Sequence, residues 1–174
     1  MANYSYAAIA LSRRNIEQFT EFIRTELGMR DHMFFPIIRL IELLNHYEYL
    51  EFQILDRSEM GELHGEALVG DGIIRLREDV YDGAVHGNGR DRFTAAHELG
   101  HFFMHDPASI SLARIHNNSK LPAYRNPEWQ ANEFAGALLM PAYGIVGLSV
   151  EDIAVNCGVS RAAARVRLNN LSKQ

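Results

Sequence analysis

The chain has 174 residues, 47% of them hydrophobic, with 17 Lys and Arg against 22 Asp and Glu for a formal net charge of -5. That length suffices for one compact domain with a core and excludes two full ones. The negative balance excludes a global electrostatic pull toward nucleic acid or anionic lipid, and the one cysteine, Cys157, excludes an internal disulfide or a cysteine-based zinc knuckle.

The N-terminus lacks signal-peptide order, because the apolar stretch Tyr6 to Leu11 precedes Arg13 and Arg14 instead of following a basic region. Residues 14–28 read as a helix with Ile16, Phe19, Phe22, Ile23 and Leu27 at helical spacing, and residues 36–47 as a second. Leu50, Phe52 and Ile54 then alternate with Glu51 and Gln53, a strand signature. Gly65–Val69 and Ile73–Arg77 read as two further strands joined at Gly70-Asp71-Gly72. The expectation is a small, mostly antiparallel sheet ahead of the segment that carries the chemistry.

That segment runs from Arg92 to His105 and contains His97-Glu98-Leu99-Gly100-His101. On a helix, positions i and i+4 share a face, so both imidazoles can aim at one point and hold a metal ion. Glu98 sits about 100° around the helix from His97, near enough to hold a water beside the metal but turned too far to be the third ligand. Ala95, Ala96, Leu99, Phe102 and Phe103 fall on the opposite side and form an apolar stripe for a core. Gly100 lies beside the histidine face and reads as clearance for metal or substrate. His105 follows His101 by one turn and lies beyond the metal; together with His32, His46, His64 and His86 it reads as surface or structural.

Residues 106–125 form a connection longer than most within compact domains, made polar by Ser109, Ser111, Asn117, Asn118 and Lys120. It reads either as a lid or binding loop or as a plain surface loop. Asn126 as N-cap and Pro127 at the first helical position then start a helix that stops before Pro141. Its stripe is Ala131, Phe134, Ala135, Leu138 and Leu139, with Glu128 and Asn132 on the border one turn apart and Glu133 projecting away toward solvent. A tetrahedral catalytic zinc needs a third protein ligand and an open position, for which Glu128 is the candidate. Taken alone, Glu128 also reads as an ordinary first-turn acid complementing the helix dipole. Asn132 is placed to orient a histidine ligand through its second ring nitrogen.

Arg92-Phe-Thr-Ala-Ala-His-Glu-Leu-Gly-His101, followed by Glu128-Trp-Gln-Ala-Asn-Glu-Phe-Ala135 and Leu138-Leu-Met-Pro141, resembles the ImmA/IrrE family of metallo-endopeptidases from about Ile73 to Pro141 and more loosely beyond. The resemblance implies that His97, His101 and Glu128 bind the metal, zinc or alternatively manganese, and that Glu98 is the catalytic base. Gln130 stands where many relatives carry an acid, at a position that is not a ligand. It also implies an α+β, zincin-like fold, in which a sheet edge binds the substrate backbone. Gly72 to Arg77 is the candidate for that edge, with a plain internal strand as the alternative. Oxyanion stabilisation falls to His116, Tyr124 or Arg125, among which the sequence does not choose.

Leu148 to Leu168 reads as a helix-turn-helix-like pair, with Ser149 and Asp152 as a capping box, Gly158 at the turn and Ser160 capping the second helix. Arg161, Arg165, Arg167 and Lys173 make DNA contact the rival function. Against it stand the overall charge and the absence of a third helix or dimer element, so a pair packed on the peptidase core is preferred. The division expected is a peptidase domain over 1–141 and the helical pair over 142–174. The longest uncharged run, Ala135 to Val150, is broken by Pro141, Gly144 and Gly147 and is too short to span a membrane. By resemblance, the expected activity is cytoplasmic cleavage of a protein substrate, a helix-turn-helix repressor, derepressing genes of a mobile element or stress response. The alternatives are a metal-bearing interaction protein that cuts nothing and a DNA-binding regulator.

Overall fold

The computed structural model describes residues 5–105, 111–113 and 121–172. In chain order the elements are β1 (Ser5–Ala7), α1 (Arg13–Glu26), α2 (Ile37–His46), β2 (Glu51–Leu55), α3 (Arg57–Met60), β3 (Gly65–Leu68), β4 (Ile73–Arg77), α4 (Glu78–Val85), α5 (Gly89–Met104), β5 (Ser111–Ala113), α6 (Pro127–Leu139), α7 (Ala142–Ile145), α8 (Val150–Cys157) and α9 (Arg161–Leu171). The fold is mixed α+β.

Helix starts follow the local chemistry. Ser12 and Asn15 make a reciprocal capping box on α1, and the Asn88 side chain accepts from the backbone N–H groups of Arg90 and Asp91 at the start of α5. Asn126 caps α6 in the same way, with Pro127 at the first helical position as the sequence predicts. The α4 helix follows β4 without a turn and without a side-chain cap, so the acids Glu78 and Asp79 in its first turn are what mark its start.

The three-stranded sheet has the order β2-β4-β3, with β2 parallel and β3 antiparallel to β4. It is therefore mixed, not mostly antiparallel. The chain leaves β2 through α3 and returns as the β3–β4 hairpin, which puts β4 between the other two. Consequently Gly72–Arg77 is the central strand and cannot be the substrate-binding edge; β3 is an edge. A separate pairing joins β1 to β5.

The core centres on α5 and α6. Ala95, Ala96 and Leu99 of α5 meet Phe134, Ala135, Leu138 and Leu139 of α6, all fully buried. The α6 helix is covered on nearly every side, because α1 packs against it from across α5. Glu133 is accordingly buried rather than solvated, held by a two-point ion pair with Arg13 at 2.8 Å and by the Asn170 amide of α9. Gly100 clears Phe134, not the metal side: a Cβ there would stand 2.9 Å from the Phe134 ring.

The C-terminal pair forms as its signals predict, with Gly158 left-handed at the end of α8 and Ser149 and Ser160 as caps. It sits against α5: a Cβ at Gly89 would meet the Val159 and Ser160 backbone at under 3 Å. Arg92 of α5 donates to the carbonyls of Gly158, Cys157 and Phe35, and Arg167 of α9 donates to Met140 and to the Glu17 carboxylate of α1. Cys157 is buried in the core, as expected. No helix among the described residues is long and apolar enough to cross a membrane.

Candidate metal centre

His97 and His101 lie one turn apart on α5, and Glu128 stands in the first turn of α6. Because the two helices share the core, the carboxylate reaches the imidazoles across their interface. One ligand atom from each residue falls within 4.8 Å of the others. The Nε2 atoms of the histidines are 3.0 Å apart, and each is 3.3 Å from one Glu128 oxygen.

Burial lowers the pKa of His97, and burial followed by the proximity of His97 holds His101 at about 4, so both rings are neutral at pH 7. Each neutral ring thus keeps one bare nitrogen to offer a cation beside the Glu128 carboxylate, and neither carries the charge that an ion pair with Glu128 would need. A zinc ion at roughly 2.0–2.1 Å from each of three tetrahedral ligands sets them about 3.3 Å apart, so the donor set fits a divalent cation of that kind. Glu128 keeps an exposed side chain, which leaves the site open on that side.

Glu98 is 8% exposed. Burial first, then the charges of Glu128 and Glu66, push its pKa up to about 7, while the backbone N–H of Ala67 on β3 draws it back. The strand makes room for it: a Cβ on Gly65 would meet Glu98 Cγ at 2.9 Å. A glycine inside a strand is a sequence sign of close approach, and this one passed unused in the sequence. The carboxyl group therefore sits beside the edge strand, close to the three candidate ligands.

The Asn132 amide donates to the Glu128 carbonyl at 2.8 Å, and its side chain also hydrogen-bonds His97, raising that ring's basicity. Two further residues stand behind the site: His105, structural as one of its two sequence readings has it, and Gln130, whose pairing with His105 the sequence reading did not foresee. His105 and Gln130 are buried behind His101, and a polar pair at those positions is invisible without the contact between α5 and α6. Of the oxyanion candidates, Tyr124 and Arg125 form a short 3₁₀ turn before α6. Their backbone carbonyls accept from Leu11 and Ala8, and among the described residues neither side chain hydrogen-bonds to the ligands or Glu98. His116 lies outside the described residues, as do Lys173 and most of the 106–125 connection.

The family model of the IrrE N-terminal-like domain, Peptidase_M78, matches residues 63–169, from just before β3 into α9. The chain belongs to the IrrE N-terminal-like domain family. The helices α5 and α6, α8 and all but the last two residues of α9 fall inside that span. Among solved structures, a Mycobacterium tuberculosis transcriptional regulator is similar to this IrrE-like chain, with a TM-score of 0.62 at 20% identity over 89% of this chain and 46% of the regulator. The chain spans less than half the regulator's length, and at that identity the likeness concerns the fold. No curated protein matches the chain in sequence.

Proposed function

We propose that the chain is a zinc-dependent endopeptidase of zincin-like design, with manganese as the alternative ion. His97, His101 and Glu128 hold the cation, and Glu98 handles the protons. The observation that carries this reading is the convergence of two imidazole nitrogens and a carboxylate oxygen at 3.0 to 3.3 Å beside a buried carboxyl group. A cation held there supplies Lewis-acid activation of water and of a peptide carbonyl. Glu98 takes the proton from the attacking water and delivers it to the leaving amine, which its position and raised pKa suit.

The substrate backbone adds to β3. Arg77 N–H donates to the His64 carbonyl and the register pairs Glu66 with Arg75, so the backbone groups of Gly65 and Ala67 face away from β4; the Ala67 N–H is taken by Glu98, which leaves the Gly65 N–H and the two carbonyls for a peptide. That edge borders Glu98 and offers a peptide main-chain partners beside the site. The cytoplasmic substrate we favour is a helix-turn-helix repressor whose cleavage derepresses genes of a mobile element or stress response. The regulator-like fold supports a second reading, in which the protein holds a repressor without cutting it. Direct DNA reading is disfavoured because Arg167 is committed to Met140 and Glu17 inside the fold.

The test is incubation of the zinc-loaded protein with a repressor encoded beside its gene, with and without chelator. Chelator-sensitive fragments on a gel support cutting; a stable, uncut complex supports holding.

A further inference from the structure

Behind His101 runs a chain of four hydrogen-bonded groups whose protons, with both imidazoles neutral, can be ordered in only one way. His101 Nδ1 lies 2.9 Å from His105 Nδ1, and His105 Nε2 lies 2.9 Å from Gln130 Oε1. The Gln130 amide nitrogen is 2.7 Å from the Ile9 carbonyl and 2.8 Å from the Tyr124 carbonyl. His105 is 2% exposed and Gln130 fully buried, so water does not compete for these contacts.

Carbonyls only accept, so both amide hydrogens of Gln130 point at Ile9 and Tyr124 and its oxygen faces His105. An amide oxygen also only accepts, which requires His105 to carry its proton on Nε2 and, as a neutral ring, to present a bare Nδ1. The facing His101 Nδ1 must then be the donor. A neutral His101 protonated at Nδ1 has its lone pair on Nε2, the atom that faces His97 and Glu128.

We propose that Gln130 and His105 are positioning residues that set the tautomer of His101, with the two backbone carbonyls of the N-terminal segment and the turn before α6 as the fixed reference. A histidine ligand whose other nitrogen donates to an oriented acceptor is the usual outer arrangement of a metal site; here the acceptor is a second imidazole, aligned in turn by an amide. The same contacts tie the segment around Ile9 to the site, since Ala8 and Leu11 also donate to the carbonyls of Arg125 and Tyr124. This inference rests on the reading of the site as a metal centre, but not on peptide hydrolysis.

Two measurements test it. Long-range proton–nitrogen spectra of the metal-free, histidine-labelled protein are expected to show His101 protonated at Nδ1 and His105 at Nε2; His101 protonated chiefly at Nε2 overturns the proposal. Zinc affinity by chelator competition is expected to fall about 10- to 100-fold in both His105→Phe and Gln130→Leu, the range for lost outer-shell partners. Gln130→Glu keeps an acceptor toward His105 and is expected to hold zinc within about threefold of the parent, while melting below Gln130→Leu because its carboxylate faces two carbonyls. A merely structural role predicts that affinity follows melting temperature across the three variants, and that result overturns the proposal. If a variant fails to fold, the spectrum of the unaltered protein decides. Because neither readout involves a substrate, a protein that binds zinc as described but cuts nothing refutes only the peptidase reading.

Discussion

Two regions of this molecule bury polar side chains, and they do so on opposite terms. Arg24, Arg92 and Arg167 are at most 3% exposed, and each guanidinium meets oxygen acceptors. Arg24 donates to Leu138, Met29 and His32 carbonyls, Arg92 to Phe35, Cys157 and Gly158, and Arg167 to Met140 and Glu17. Burial lowers Arg92 only to about 10, so it remains a cation at neutral pH. At the candidate metal centre, neutral imidazoles and a carboxylate face one another with no cationic side chain among the described residues between them to balance the carboxylate. Matched donors and acceptors hold a fold together, whereas converging acceptors without a donor mark a place for a cation.

The largest effect is expected where chemistry, not binding, is removed. Glu98→Gln keeps the shape beside Gly65 and the zinc content, but peptide hydrolysis falls about 10³-fold or more for want of a base. Metal analysis alongside a cleavage assay checks both halves; full activity with bound metal refutes the role. His97→Ala or His101→Ala removes one converging acceptor. The parent protein is expected to gain about 4 kcal/mol of stability at zinc concentrations near 1,000 times Kd, and the variants little, as read from thermal melts with and without zinc.

On the satisfied side, Arg92→Met leaves the carbonyls of Phe35, Cys157 and Gly158 without their donor and removes the cation stacked 3.8 Å over Phe34. A stability loss of about 3 kcal/mol is expected, with zinc affinity unaltered, by denaturant titration and chelator competition. Gly100→Ala discriminates more finely. Helix propensity favours the alanine by about 1 kcal/mol, but its methyl meets Phe134 Cδ1 at 2.9 Å and Cβ at 3.2 Å, and overpacking of that kind costs about 1 to 3 kcal/mol. A modest net destabilisation with unchanged zinc affinity is expected; weakened zinc binding alone would restore the reading of Gly100 as clearance for the metal.

Much of this was legible in the chain because the signals are local. The i, i+4 histidines, the Asn126-Pro127 start of α6 and the caps at Ser149 and Ser160 each lie within one or two turns, where helix geometry fixes the outcome. What escaped depends on which element lies against which. Glu133 reads as solvated until α1 brings Arg13 to it, and Gly100 reads as room for a ligand until Phe134 fills that side. The β3–β4 hairpin was readable, but the parallel seating of β2 beside β4 requires the crossover through α3, which no local signal reports. His105 and Gln130 have meaning only as a pair, 25 positions apart in the chain.

A smaller test of the matched-pair rule lies outside the candidate site, where Tyr81 of α4 donates to the Glu42 carboxylate of α2 at 2.9 Å. That hydrogen bond, then burial and the Glu42 charge, raise the phenol pKa above its ordinary value near 10. A group whose folded pKa is raised contributes its full stabilisation below the unfolded value and loses it as pH climbs from about 10 through the folded value. Tyr81→Phe is therefore expected to destabilise the fold slightly at neutral pH and to show a shallower alkaline decline than the parent. Comparing the two proteins by denaturant midpoint from pH 8 upward cancels the titration of every other group. A parent and variant with parallel alkaline profiles would mean that the pair adds no stability of its own, and that its burial between α2 and α4 is only tolerated.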